Sequence, residues 1–194
     1  MAKRKSAVQK TEVSLEEEAD LVRRAAAGEA QAFARLYDAH IDDLYRFIFY
    51  RVSHQQTAED LTSQLFIKAW DNLGRYESRG VRFSAWLYQI ARNMVIDHYR
   101  TRKETVALEP IATMKPDPAA NVSKQIERKL EGEWVRGMLE HLTADQREVL
   151  TLKFINGLST KEVATVMKKK QGAIRALQMR GLQALAKLME ETGS

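Results

Sequence analysis

All three prolines of this 194-residue chain, Pro110, Pro116 and Pro118, lie in one stretch, ETVALEPIATMKPDPAANVS, residues 104–123. Proline withdraws a backbone donor and obstructs a helix interior, so long regular helices are confined to either side of it. The stretch has little periodicity of its own and reads as a linker. Upstream the chain is rich in aromatic residues, whereas downstream Trp134 and Phe154 alone remain. This shift predicts a mobile N-terminal tail over residues 1–24, a first domain over 25–103, the linker over 104–123 and a second domain over 124–190.

Both flanks carry helical spacing. Phe33, Tyr37, Leu44, Ile48 and Val52 recur at steps near 3.6 residues, an amphipathic stripe. Thr57, with Asp60 three residues on, is placed to cap a helix through AEDLTSQLFIKAW. A long helix is expected from Arg82 to about Arg102, with Phe83, Leu87, Ile90 and Met94 inward. Thr143 with Gln146 and Ser159 with Glu162 have capping-box spacing. No stretch alternates as a half-buried strand does. The expected fold class is all-α, in two small helical domains.

The formal net charge of +5 is concentrated rather than spread. Residues 163–189 hold Lys168, Lys169, Lys170, Arg175, Arg180 and Lys187 and no acid. Residues 79–103 hold Arg79, Arg82, Arg92, Arg100, Arg102 and Lys103 against the single acid Asp97. Two basic surfaces suggest a polyanionic partner. The absence of cysteine excludes disulfides, thiolate zinc sites and cysteine nucleophiles. His40, His54, His98 and His141 are scattered, and no glycine loop cradles phosphate, so neither an enzyme nor a metal or other cofactor is expected. No apolar run approaches the roughly 18 residues of a membrane span, and the cytoplasm is the expected compartment.

The second basic segment has a helix-turn-helix plan: one helix from Ser159 to about Met167, a turn of Lys168 to Lys170, and a helix from Gln171. Val163, Met167, Ile174 and Leu177 have the spacing of a shared core, with the small Ala164 at the crossing. Gln171, Arg175 and Gln178 then face outward near the start of the second helix, where such helices meet the major groove. Arginine pairs with guanine and glutamine with adenine. Lys168, Lys169, Lys170 and Arg180 suit phosphates. A solvated basic face is the alternative. Glycine is usual where Lys168 stands, because a left-handed backbone costs other residues about 1 kcal/mol.

The first basic segment interleaves cations with rings: Arg75, Tyr76, Arg79, Arg82, Phe83, Trp86, Tyr88, Arg92, Asn93, Tyr99 and Arg100. Arg82, Trp86, Gln89, Asn93, Asp97 and Arg100 share the polar face of the long helix. Rings beside cations suit single-stranded nucleic acid, each stacked base contributing about 1–3 kcal/mol. Phe83 reads better as core. For Trp86, stacking and packing under the GRYESRG loop stand equal.

These residues resemble the extracytoplasmic-function (ECF) sigma factors of bacterial RNA polymerase. AFARLYDAHIDDLYRF, AEDLTSQLFIKAW and RFSAWLYQIARNMVIDHYR resemble region 2. LTADQREVLTLKFINGLSTKEVATVM and GAIRALQMRGLQAL resemble region 4. The resemblance implies core RNA polymerase as partner, through the clamp helices of its largest subunit and its flap region, with Asp60, Ser63, Gln64 and Phe66 as the residues that bind the polymerase. It implies capture of melted −10 bases by Arg75, Tyr76, Arg79, Arg82, Trp86, Asn93 and Arg100, and reading of the −35 duplex by the Gln171 helix. An anti-sigma factor is a further implied partner. Ser63 and Gln64 depart from the glutamine and acid common there.

The linker adds a physical constraint. Twenty residues reach ~70 Å fully extended but average roughly 25 Å, against about 50 Å between duplex sites one and a half turns apart. The free chain is therefore expected to be compact, with its DNA surfaces hidden. Two other readings compete, an autonomous helix-turn-helix regulator and an RNA-binding protein using the aromatic patch.

Overall fold

A computed structural model describes residues 14–77, 81–106 and 134–192, the side chains of 102–106 and 192 excepted. Among the described residues there is no strand, and the all-α expectation holds. The helices are α1 (Leu15–Ala26), α2 (Ala30–Val52), α3 (Gln55–Asn72), α4 (Phe83–Val106), α5 (134–140), α6 (Ala144–Leu150), α7 (Thr160–Met167) and α8 (Gln171–Thr192). A 3-10 turn, Leu73–Arg75, follows α3, and a π-helical turn, Thr151–Ile155, follows α6.

The reading of residues 1–24 as a tail is corrected. Ser14 caps α1 by accepting the Glu17 N–H at 3.2 Å, and Leu21, Val22 and Ala25 are buried against the bundle. Burial of three apolar side chains on one stripe is what anchors this helix. Residues 1–13 lie outside the described residues. So does most of the 104–123 linker, whose first three residues are still in α4, and so do residues 124–133. The cap assigned to Thr57 belongs instead to His54, whose Nδ1 accepts the Thr57 N–H at 3.2 Å. Chain reversal is complete one step earlier, because Ser53 ends α2 in the left-handed conformation, φ 55°.

Helices α1 to α4 form a bundle around Leu21, Leu36, Leu44, Phe47, Ile48, Leu65, Leu87 and Val95, all buried. The second half does not stand apart. Val149, Leu152, Leu158, Val163, Val166, Met167 and Ile174 belong to the same continuous core. A smaller cluster, Leu139, Leu142 and Leu150, receives Tyr50 from α2. The two halves are in contact, with α7 lying on α4, but the expectation of hidden DNA surfaces does not hold for α8, where Gln171 and Arg175 are exposed.

Both expected capping boxes are present. Thr143 Oγ1 accepts the Gln146 N–H at 3.3 Å while Gln146 accepts the Thr143 N–H at 3.1 Å. Ser159 and Glu162 do the same at 3.2 and 2.8 Å. Each box satisfies two of the donors a helix start leaves unpaired.

Candidate nucleic-acid and polymerase interfaces

The helix-turn-helix is built as its spacing implied. Val163, Met167 and Ile174 are buried and Leu177 is partly buried against them. Lys168 takes the left-handed cap of α7, φ 52° and ψ 43°, and the Lys169 N–H closes the turn on the Ala164 carbonyl at 3.0 Å. Gln171 and Arg175 are exposed at the start of α8 and Gln178 is half-buried one turn on. Lys168 and Lys170 are exposed. Lys169 is drawn back to Asp145, 3.1 Å from its carboxylate, and Arg180 donates to the Ala176 carbonyl of its own helix at 3.3 Å. The groove-reading candidates Gln171 and Arg175 face outward here, while two of the phosphate candidates hold local partners.

The α4 surface is organised differently. Tyr76 donates its hydroxyl to the Val81 carbonyl at 2.9 Å and lays its ring against Phe83 and Trp86, 5.5 and 5.2 Å between centroids. Phe83 is core. Trp86 is half-buried, so packing accounts for one side of its ring. Arg75, Asn93 and Arg100 are exposed, with Arg100 3.3 Å from Asp97. Arg79 lies outside the described residues.

The N-terminal half of that face is contacted by the second half of the chain, although Arg82 keeps about half of its side chain exposed. Arg82 donates to Glu162 at 3.4 Å, Gln89 donates to the Thr165 carbonyl at 3.2 Å, and Arg92 Nε donates to Glu148 at 2.6 Å. The other oxygen of Glu148 stands 2.9 Å from Arg51 Nη1. Glu148 is 2% exposed. A carboxylate so placed requires compensating charge, and the two guanidinium groups supply it from α2 and α4. The Glu162 carboxyl is pushed up by burial, but the Ser159 hydroxyl and backbone N–H and the Arg82 guanidinium outweigh that and hold it below the usual carboxylate range.

Sequence reasoning missed this Glu148 cluster. The signal was present: Arg51 sits beside Ile48 and Val52 on the buried stripe of α2, and a cation on an apolar stripe needs a buried partner. The Tyr99 hydroxyl further fixes the site, donating to the Arg51 carbonyl at 2.6 Å.

On α3, Asp60, Ser63 and Gln64 are exposed. Phe66 is not available as a surface contact: it is 5% exposed, packed edge-on to Phe33 and tilted against Tyr37, 6.4 and 4.5 Å between centroids. The apolar surface residue here is Ile67, 62% exposed, one turn from both Ser63 and Gln64.

Comparison with known proteins agrees with this layout. Residues 36–105 match the model of Sigma-70 region 2, and residues 132–185 that of Sigma-70, region 4. The chain is 41% identical over 175 residues to the ECF RNA polymerase sigma factor BldN of Streptomyces coelicolor, covering 89% of this chain and 66% of that one. It is 32% identical over 166 residues to the ECF RNA polymerase sigma factor SigX of Bacillus subtilis, covering 82% and 84%. Among solved structures, the sigma factor RpoE in complex with the anti-sigma factor NepR, from Bartonella quintana, matches with a TM-score of 0.67 at 26% identity. That match covers 83% of this chain and 98% of RpoE. CnrH, in complex with the cytosolic domain of CnrY, shares the fold with a TM-score of 0.71 at 24% identity, over 90% and 97%. With both regions matched in order and relatives matched along most of this chain, the protein belongs to the sigma-70 family, in its ECF group.

Proposed function

We propose that this chain binds bacterial core RNA polymerase and directs it to promoters, α4 engaging the opened −10 strand and α8 reading the −35 duplex. The supporting observation is the division of labour between its basic surfaces. One has rings beside cations on a single long helix, suited to unpaired bases. The other presents Gln171 and Arg175 on a helix-turn-helix, suited to base edges in a groove. The region 2 unit runs from Leu15 through α4 and the region 4 unit from α5 through α8. Lys168, Lys170, Arg180 and Lys169 set the register on phosphates, Lys169 by exchanging Asp145 for DNA. Gln178 reads at the margin of the α8 face, and Arg79 belongs with Arg75 and Tyr76 in the strand-binding loop.

Asp60, Ser63 and Gln64, with Ile67 one turn beyond the last two, form the surface for the clamp helices. An apolar cleft lined by Trp134, Val135, Met138, Leu139, Leu185 and Met189 suits the polymerase flap. No helix among the described residues is long and apolar enough to cross a membrane, and the chain works in the cytoplasm with polymerase. A protein anti-sigma factor, of the kind RpoE binds, is a fitting antagonist.

The test is transcription from a promoter library by core polymerase with the purified chain. Initiation at a defined set of start sites, dependent on the chain, is expected. Tight binding of palindromic sites without polymerase, and no directed initiation, would favour an autonomous regulator instead.

A further inference from the structure

We propose that Glu18 and His40 are positioning residues of the strand-binding surface: the carboxylate on α1 fixes the imidazole on α2, and the imidazole backs Phe83, on which Tyr76 and Trp86 rest. This rests on the strand-binding role assigned to α4 above.

Glu18 shares the buried stripe of α1 with Leu21, Val22 and Ala25 and is 7% exposed. A leucine there would continue the stripe, whereas a buried carboxylate costs stability unless it is compensated. The compensation comes from another helix, for His40 Nε2 lies 3.0 Å from Glu18 Oε1. The neighbouring acid Glu17 pairs with Arg35 instead. An ionised carboxylate can only accept a hydrogen bond, so Nε2 carries the proton and the imidazole is held in one orientation.

From His40 the contacts run ring to ring. His40 meets Phe83 at 5.8 Å between centroids and an interplanar angle of 61°. Phe83 in turn meets Tyr76 at 5.5 Å and Trp86 at 5.5 Å, and Tyr76 and Trp86 stand 5.2 Å apart. Phe83 is buried, while Tyr76 and Trp86 are half-buried at the surface. Edge-on and tilted ring pairs have preferred geometries, so an imidazole fixed at the inner end of this series sets the tilt of the indole at its outer end. Helix α1 also touches α4 and the Leu73–Arg75 turn that leads into Tyr76, and so backs both arms of the surface. Replacing a buried ionic pair by packed apolar groups is often neutral for stability or better. The orientation that the Glu18–His40 pair imposes therefore explains it better than stability does.

Fluorine NMR of the full chain labelled with fluorotryptophan tests the positioning. The tryptophans are Trp70, Trp86 and Trp134, and each resonance is assigned by its Trp→Phe variant. Glu18→Ala should shift the Trp86 resonance and leave the other two in place, whereas a general loosening of the bundle would move Trp70 as well. Glu18→Gln keeps an acceptor for the imidazole N–H and should restore the wild-type resonance. If Glu18→Ala does not melt cooperatively, Glu18→Leu with His40→Phe refills the site with apolar groups and takes its place, with the same shift expected.

The consequence is read in binding of a fluorescent random-sequence single-stranded DNA pool, about 12 nucleotides long, by the chain assembled with core polymerase. Glu18→Ala should weaken binding about fivefold, part of one stacked base being lost, and Glu18→Gln should not. An unmoved Trp86 resonance in the folded variant, full affinity despite a moved one, or failure of Glu18→Gln to restore both overturns the positioning role. Trp86→Ala separates this from the reading beneath it. If Trp86→Ala alone weakens binding, the role of Glu18 and His40 falls and that of α4 stands; if it binds the pool as the wild type does, the strand-binding role itself falls and the positioning role with it.

Discussion

The basic surfaces of α4 and α8 carry similar charge and differ in what the fold does with it. On α8, Gln171 and Arg175 are exposed while Ile174 between them is buried, and they make no contact with the first half among the described residues that would cover them. On α4, Arg82, Gln89 and Arg92 are engaged by α6 and α7. A run of like charge thus reports the chemistry of a partner, not whether the surface is available to it. Availability is decided by tertiary contacts, here two carboxylates and one backbone carbonyl from the other half of the chain.

The largest expected effect separates the two surfaces outright. Ile174 is fully buried at the junction of α7 and α8, and Ile174→Ala should cost about 2–4 kcal/mol in urea unfolding, since packing loss and cavity add. Duplex binding through α8 should collapse while binding of single-stranded DNA by α4 persists or improves as its cover loosens. Equal loss of both would show the two surfaces to be one cooperative unit. Next in size is Arg175→Ala, which should relax discrimination at one duplex base by about 1–3 kcal/mol and leave the melting temperature unchanged. Competition band-shifts over single-base variants of a bound duplex measure it.

Lys168→Gly comes third. The substitution removes a side chain from a left-handed cap, so the melting curve should gain about 1 kcal/mol. Lys168 is also exposed, and on the proposed phosphate contact the salt dependence of duplex affinity should flatten by about one ion released. Stability would rise as binding falls. If affinity and its salt slope stay unchanged, Lys168 is a solvated charge and the α8 surface is narrower than its lysines suggest.

The sequence made some features easy to read and others hard for physical reasons. The capping boxes at Thr143 and Ser159 are local, set within four residues, and so is the inward face of α4 through Phe83, Leu87 and Met94. The shared core of α7 and α8 is nearly local. Helix α1 was harder, because its three acids in the first turn look like a tail. Its anchoring residues, Leu21, Val22 and Ala25, are few and act only through tertiary packing, chiefly against α2. Phe66 shows the opposite error: it lies in the segment that resembles a docking surface, yet the ring turns inward to Phe33 and Tyr37 and leaves Ile67 outside. The Glu148 cluster was hardest. Its members are up to 97 positions apart, Arg51 to Glu148, and no local pattern brings them together.

The smallest effect compares the two capping boxes and, through them, the two halves of the closed chain. In α6 the reciprocal residue is Gln146, which does not titrate. In α7 it is Glu162, whose carboxyl lies below its usual range despite burial, because Ser159 and Arg82 favour the charged form. A carboxyl depressed on folding contributes stability that is present above its unfolded value, about 4.3, and is lost as pH falls through the lower folded value. Acidification from pH 5 should therefore loosen α7 and its hold on Arg82 before it affects the start of α6. Amide exchange at residues 160–163 against 144–147 reads this directly. Glu162→Gln keeps the capping geometry, as Gln146 shows is possible, and removes the titration. In that variant the two helix starts should respond alike to acid, and a difference that survived the substitution would place the acid-sensitive group elsewhere in the α4–α7 contact.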